Sequence, residues 1–197
     1  MVRLVVQRVA QASVGVLGPT GLTPVSSIGH GLMVLVGIGA DDGDADIEWA
    51  AKKLLALRLF NGPVSVSSPT TADAEATPCE SGGDSSPVAV TLATEDATPG
   101  TFAAGQGKSW SRSVMETGGS VLLVSQFTLC HVLKGNKPDF HNAMRGDEAK
   151  VLYDRMCTLM ASAYVPDRIA KGAFGEHMHV QLINDGPVTL SLDSKSK

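Results

Sequence analysis

The sequence predicts an α+β domain: a mixed, curved, barrel-like β-sheet core with two long helices. Three observations carry that reading. Runs of strand character fill the N-terminal part and recur near the C-terminus. Two segments, 44–60 and 141–164, change to helical period. The strands come in groups around those helices, the order of an α+β domain.

Taken in turn, residues 1–9 and 12–17 alternate as two tightly joined strands. GLMVLVGIG (31–39) is an apolar run ending in glycines, expected as a buried strand. In 44–60, Ile47, Ala51, Leu54, Leu55 and Arg58 form one stripe, with Asp44 and Asp46 suiting the positive end of a helix. WSRSVMET (110–117) reads as a strand and SVLLVSQFTL (120–129) as a stronger one. In 141–164, Leu152, Met156, Leu159 and Ala163 recur at helical spacing. Strands at 176–183 and 188–192 follow, with Gly186-Pro187 as the turn between them.

The chain's 197 residues fit one domain, or one domain carrying an insertion. The insertion is expected at about 61–106, which holds five of the ten prolines, six acids and no Lys or Arg. Its polar composition predicts a mobile segment, apart from the short apolar patch at 88–93. Setting its six acids aside leaves 14 acids (20 − 6) against 16 bases, so a net −4 chain has a remainder of +2. That balance permits a nucleic-acid partner without arguing for one. No apolar run approaches the ~18 residues of a membrane span, and the N-terminus lacks the apolar stretch of a signal peptide. Three cysteines, Cys79, Cys130 and Cys157, have no metal-type spacing, which suits a reduced, cytoplasmic protein. No metal and no cofactor are expected.

Several stretches offer chemistry. GIGADDG (37–43) is one residue too long for a dinucleotide loop, and Asp41 and Asp42 repel a pyrophosphate, so a strand-to-helix turn is expected. His177 and His179 share a strand face but have no evident third metal ligand. His131 and His141 flank a loop, either one a candidate base. Ser125, Gln126 and Thr128 place uncharged donors and acceptors at a strand end. Such groups suit orienting an ester carbonyl or a sugar hydroxyl, or simply cap a strand entering a loop. Gly186-Pro187 on its own is a turn, in which backbone carbonyls can be aimed unusually.

Two hallmarks change the weight of these stretches. GGSVLLVSQFTL (118–129) carries SQFT, and FGEHMHVQLINDGPVT (174–189) carries N-x-G-P-V-T. With QRVAQASV (7–14), IGHGLMVLVGI (28–38) and KGNKPDFHNAM (134–144), they resemble the D-aminoacyl-tRNA deacylases, the D-tyrosyl-tRNA deacylase family. The 61–106 segment and WSRSVMETGGS depart from the usual family pattern.

The resemblance implies a deacylase-type fold, a homodimer, and tRNA with an aminoacylated 3′ end as substrate. The implied reaction is hydrolysis of the ester between a D-amino acid, or glycine, and the 3′-terminal adenosine. Catalytic residues are then Ser125, Gln126, Phe127 and Thr128, acting with the substrate's own 2′-hydroxyl. Gly186 and Pro187, as a cis pair reaching into the partner's site, form a chiral gate. Arg8 steadies that gate, Phe140 and Met144 shape the adenosine pocket, and Thr189 supports the motif. Two other readings stay open on the residues alone: a general esterase using Ser125 or Thr128, and a catalytically silent tRNA-binding dimer.

Overall fold

The computed structural model describes residues 1–19, 21–62 and 109–196. The 61–106 segment therefore lies almost wholly outside the described residues. Strands are β1 (Arg3–Gly18), β2 (Gly21–Ile28), β3 (Gly31–Gly37), β4 (Arg58–Phe60), β5 (Arg112–Ser113), β6 (Ser120–Ser125), β7 (Val132–Lys134), β8 (Lys137–Asp139), β9 (Ile169–Lys171) and β10 (Met178–Asp193). Helices are α1 (Asp44–Ala56) and α2 (Gly146–Ala163). The main sheet runs β10-β1-β3-β6-β9, with β2 also on β1. It is mixed: β3/β6 and β6/β9 are parallel, and the other pairs are antiparallel.

Both faces of the central strands are buried, which is why they read as continuous apolar runs. Leu32, Val34 and Val36 of β3 and Val121 and Leu123 of β6 meet α1 and α2 in one core. Met33, Leu122 and Val124 point the other way, into a second core with Val9, Ala12, Val14 and Ile28. β1 serves both cores because it changes face along its length. Val2, Leu4 and Val6 join the helix-side core, and Val9 the other. The ladder then steps from Val9↔Asn184 to Gln11↔Ile183, skipping Ala10. That extra residue puts Ala12 and Val14 on the same face as Val9, and bends the strand into a barrel-like wall.

The tight joint expected after residue 9 is thus a bulge inside one strand. The β10 side of the same place is more pronounced. Register jumps from Arg8↔Val188 to Val9↔Asn184, so Asp185, Gly186 and Pro187 stand out of the ladder. Gly186-Pro187 is a protrusion from a 16-residue strand, not the turn between two strands that the sequence led us to expect.

Other elements are shorter than their sequence patterns. α1 ends at Ala56, and Arg58 belongs to β4 rather than to the apolar stripe. Ile47, Ala50 and Leu54 have no exposure, the Ile47 and Leu54 side chains each contributing about 1.5–3 kcal/mol on burial. The strand expected at 110–117 reduces to Arg112–Ser113, since the following residues form turns. α2 starts at Gly146, and its buried face is Ala149, Tyr153, Met156, Cys157 and Met160. Met156 belongs to the expected stripe, while Leu152 and Leu159 are half-buried and Ala163 is exposed. Tyr153 is the anchor: its hydroxyl donates to the Leu123 carbonyl at 2.8 Å, and burial pushes its pKa far up. None of the described helices is long and apolar enough to cross a membrane.

Candidate functional site

The site begins where β6 ends. Gln126 N–H donates to Val36 O at 2.7 Å, extending the parallel ladder by one residue. The backbone then turns at Gln126 (φ −147°, ψ 83°) into a short 3₁₀ helix, Phe127–Cys130. SQFTL is therefore not one straight strand, yet Gln126 and Thr128 still meet: Gln126 Nε2 donates to Thr128 Oγ1 at 2.5 Å. The N–H groups of Phe127 and Thr128 open the 3₁₀ helix, where no intrahelical acceptor exists.

Two features hold this turn in place. Gly37, at the end of β3, lets it lie flat on the strand. A side chain there would bring its Cβ within 2.8 Å of Leu129 Cβ and 3.0 Å of Gln126 O. Arg3 reaches across from β1, and Nη1 donates to Leu129 O at 2.6 Å. A cation on the last carbonyls of a helix is favourable both as a cap and toward the helix dipole. Sequence reading missed Arg3, because nothing local marks a contact made 126 positions away.

The turn forms one wall of a cleft of about 540 Å³. Ser125, Gln126 and Phe127 face Phe140, Ala143 and Met144, with Val36, Ile38 and Val124 as an apolar floor. Phe174, Glu176, His177 and Met178 close the third side, none of which the sequence had singled out as cleft-lining. Phe127 is 58% exposed and meets Phe140 edge-on, with ring centroids 5.1 Å apart and planes at 72°. An exposed ring on a cleft rim, backed edge-on by a half-buried one, is a ready surface for another flat ring.

The structure thus gathers Ser125, Gln126, Phe127, Phe140 and Met144, and ties Thr128 to them through Gln126. Gly186, Pro187, Arg8 and Thr189 form a second group, which does not line the cleft of its own chain. Gly186 and Pro187 are exposed and joined by a cis peptide bond. Arg8 fastens the protrusion: Nε donates to Asp185 O at 3.1 Å and lies 3.0 Å from the Asp185 carboxylate. Its Nη1 donates to Leu59 O at 2.6 Å, and the guanidinium sits 6.0 Å from the Phe60 ring centroid. His30 meets Phe60 nearby at a tilt of 57°, with ring centroids 4.9 Å apart. Partial burial, reinforced by the Arg8 charge and opposed by Asp185, holds the His30 imidazole below its usual pKa. Thr189 sits opposite Gln7 in the β1/β10 ladder.

The candidate bases fall elsewhere. His131 Nδ1 lies 2.9 Å from Thr128 O, which requires the Nδ1–H tautomer, and His141 Nδ1 lies 2.8 Å from Asp139. Neither ring lines the cleft. His177 and His179 have ring centroids 5.8 Å apart, and no group of three or more metal-ligating side chains gathers among the described residues. GIGADDG is a turn into α1 in which the buried Asp42 carboxylate accepts Gly39 N–H at 2.6 Å.

Comparison with known proteins shows the family. The family model described as "D-Tyr-tRNA(Tyr) deacylase" matches residues 5–76 and 83–193. A Drosophila melanogaster D-aminoacyl-tRNA deacylase is 39% identical over 98% of this chain and 92% of its own length. A Leishmania major D-aminoacyl-tRNA deacylase 1 is 37% identical over 99% of both chains. A solved structure described as "c-Myc DNA Unwinding Element Binding Protein" superposes with TM-score 0.72 at 36% identity, covering 98% of this chain and 99% of that one. On this sequence match, full-length relatedness and shared fold, the chain belongs to the D-Tyr-tRNA(Tyr) deacylase family.

Proposed function

We infer that this protein hydrolyses the ester between a D-amino acid, or glycine, and the 3′-terminal adenosine of tRNA, as a single-domain cytoplasmic homodimer. One observation carries the chemistry. The cleft at the end of β6 presents two opening N–H groups of a 3₁₀ helix beside an aromatic pair, and among the described residues no Ser or Thr hydroxyl there is hydrogen-bonded to a His or acidic side chain.

An aminoacyl ester needs little more than that, because it is already activated. The terminal adenine rests against Phe127 and Phe140, with Met144 behind. The neighbouring 2′-hydroxyl orients a water for attack on the carbonyl carbon. As the C–O(water) bond forms, negative charge grows on the carbonyl oxygen. The N–H groups of Phe127 and Thr128 receive that charge, and Gln126 holds their turn. One such donor is worth about 3–4 kcal/mol in a shielded site. Collapse of the tetrahedral carbon breaks the bond to the ribose oxygen, which takes the proton that the attacking water gives up through the 2′-hydroxyl. The free D-amino acid and tRNA leave.

Chirality is read by the second group. Gly186 and Pro187 are exposed and outside their own chain's cleft, which leaves them free to enter that of another copy. Their carbonyls hold the α-ammonium and leave no space for an L side chain. Arg8 keeps the protrusion in register, and Thr189 anchors its far side on β1.

The defining experiment is ester loss from D-tyrosyl-tRNA and L-tyrosyl-tRNA under matched conditions. Hydrolysis of the D ester alone supports the reading, while equal rates or none contradict it. A general esterase working through Thr128 predicts a different mutant. Thr128 Oγ1 is already engaged by the Gln126 amide. Thr128→Ala is therefore expected to keep kcat within about tenfold of wild type, because the backbone N–H remains. A loss of order 10⁴ with unchanged tRNA binding would establish Thr128 as the nucleophile.

A further inference from the structure

The hairpin of β7 and β8 projects from the cleft rim. It leaves the 3₁₀ helix after Cys130 and returns directly into Phe140. All of β7 is exposed, as are Lys137 and Pro138 of β8. Residues 131–145 carry Lys134, Lys137 and Arg145 with two histidines, against one acid, Asp139, in a chain of net charge −4.

That acid is already committed. Asp139 ion-pairs with Lys134 and accepts from the His141 ring at 2.8 Å and the His141 N–H at 3.0 Å. Lys134 and then the His141 groups hold the Asp139 carboxyl well below the usual carboxylate range. Lys137 and Arg145 make no ion pair among the described residues. Asp147 and Glu148 follow Arg145, but they sit in the first turn of α2, where the helix dipole favours them.

The register adds a second observation. Lys134 and Lys137 are direct partners across the hairpin end, beside Gly135 in its left-handed conformation (φ +62°). Asp139 neutralises Lys134, which leaves Lys137 as the cation at the hairpin end with no ion-pair partner among the described residues. Arg145 lies between the cleft-lining residues Met144 and Gly146, so its exposed guanidinium stands at the same rim.

We propose that Lys134, Lys137 and Arg145 form the dock for the phosphodiester backbone of the tRNA acceptor end. This rests on the deacylase reading of the cleft. The adenosine enters between Phe127 and Phe140, and the preceding phosphates run over the hairpin. Two lysine point charges and one arginine fork suit backbone phosphates and carry no base readout, so the dock accepts any tRNA sequence.

The test uses the full chain and uncharged tRNA, read by fluorescence anisotropy across a salt series. Lys137→Glu with Arg145→Glu is compared with Lys52→Glu with Lys53→Glu, an equal charge change on the exposed side of α1. The rim pair is expected to weaken binding about tenfold or more, and to lower the slope of log K against log salt by about two. The α1 pair is expected to change neither by much. Wild-type affinity for the rim variant, or equal loss from both pairs, overturns the dock. Hydrolysis separates this from the reading beneath it. The rim variant should lose kcat/KM on D-tyrosyl-tRNA but keep it on D-tyrosyl-adenosine, which has no phosphates. If wild type hydrolyses neither ester, the deacylase reading falls, while the binding result still decides the dock.

Discussion

Gly186→Ala is expected to lower kcat/KM on D-tyrosyl-tRNA by about 100-fold while the protein stays folded. Gly186 has φ +125°, a region closed to an L side chain without strain. A Cβ there would lie 2.9 Å from Val188 Cγ2, 3.1 Å from Val188 N and 3.3 Å from Arg8 Nη2. None of these atoms yields freely. Val188 is held in the β1/β10 ladder opposite Arg8, and Arg8 is tied to Asp185 and Leu59. The backbone therefore moves, and the two carbonyls assigned to the α-ammonium move with it. A displacement of about 1 Å in a positioning group costs of order 10² in rate. Because Gly186 is exposed and outside the ladder, thermal stability should change by only a few degrees. Steady-state kinetics beside a melting curve check both halves. Unchanged kcat/KM with unchanged D-over-L preference contradicts the gate.

Gly31→Ala is expected to act on the fold instead. The first pair of the parallel β3/β6 ladder is Gly31↔Ser120. A Cβ on Gly31 would fall 1.9 Å from Ser120 O, 2.7 Å from Ser120 N and 2.8 Å from Ser120 C. Those are main-chain atoms, so no rotamer change relieves the overlap, and the strands must part at their start. Leu32 and Val121, one pair further on, are both fully buried in the helix-side core. The loss should be about 3 kcal/mol or more, lowering Tm by about 10 °C. Gly29→Ala, two residues earlier, meets open space and should leave Tm nearly unchanged. Equal melting temperatures for both variants would contradict the packing account.

These two glycines show what the sequence could and could not tell. The apolar runs at 31–37 and 120–125 announced buried strands, because a strand covered on both faces needs apolar residues at every position. The helices were legible through their period. Their limits were not, since Leu57 and the residues before Gly146 continue a plausible pattern while backbone hydrogen bonds stop elsewhere. Gly186-Pro187 was legible as a special place but misread as a turn. Only the pairing of β10 with one continuous β1 shows that three residues are pushed out of a ladder. In the cleft, Ser125, Gln126, Phe127, Phe140 and Met144 were found through motifs, and the structure brings them together. Arg3, Gly37, Glu176 and His177 were not found. Their roles depend on distant chain meeting them, and local composition holds no record of that.

The most direct measurement is the D-over-L ratio of kcat/KM for wild type across several side chains, such as tyrosyl-, phenylalanyl- and aspartyl-tRNA. A gate made of main-chain carbonyls reads the α-carbon and is blind to what lies beyond it. The ratio should then be about 10³ or more for every pair, with glycyl-tRNA also hydrolysed. A ratio near one, or one that collapses when the side chain changes, would mean that the side chain is being read and that Gly186-Pro187 is not the gate.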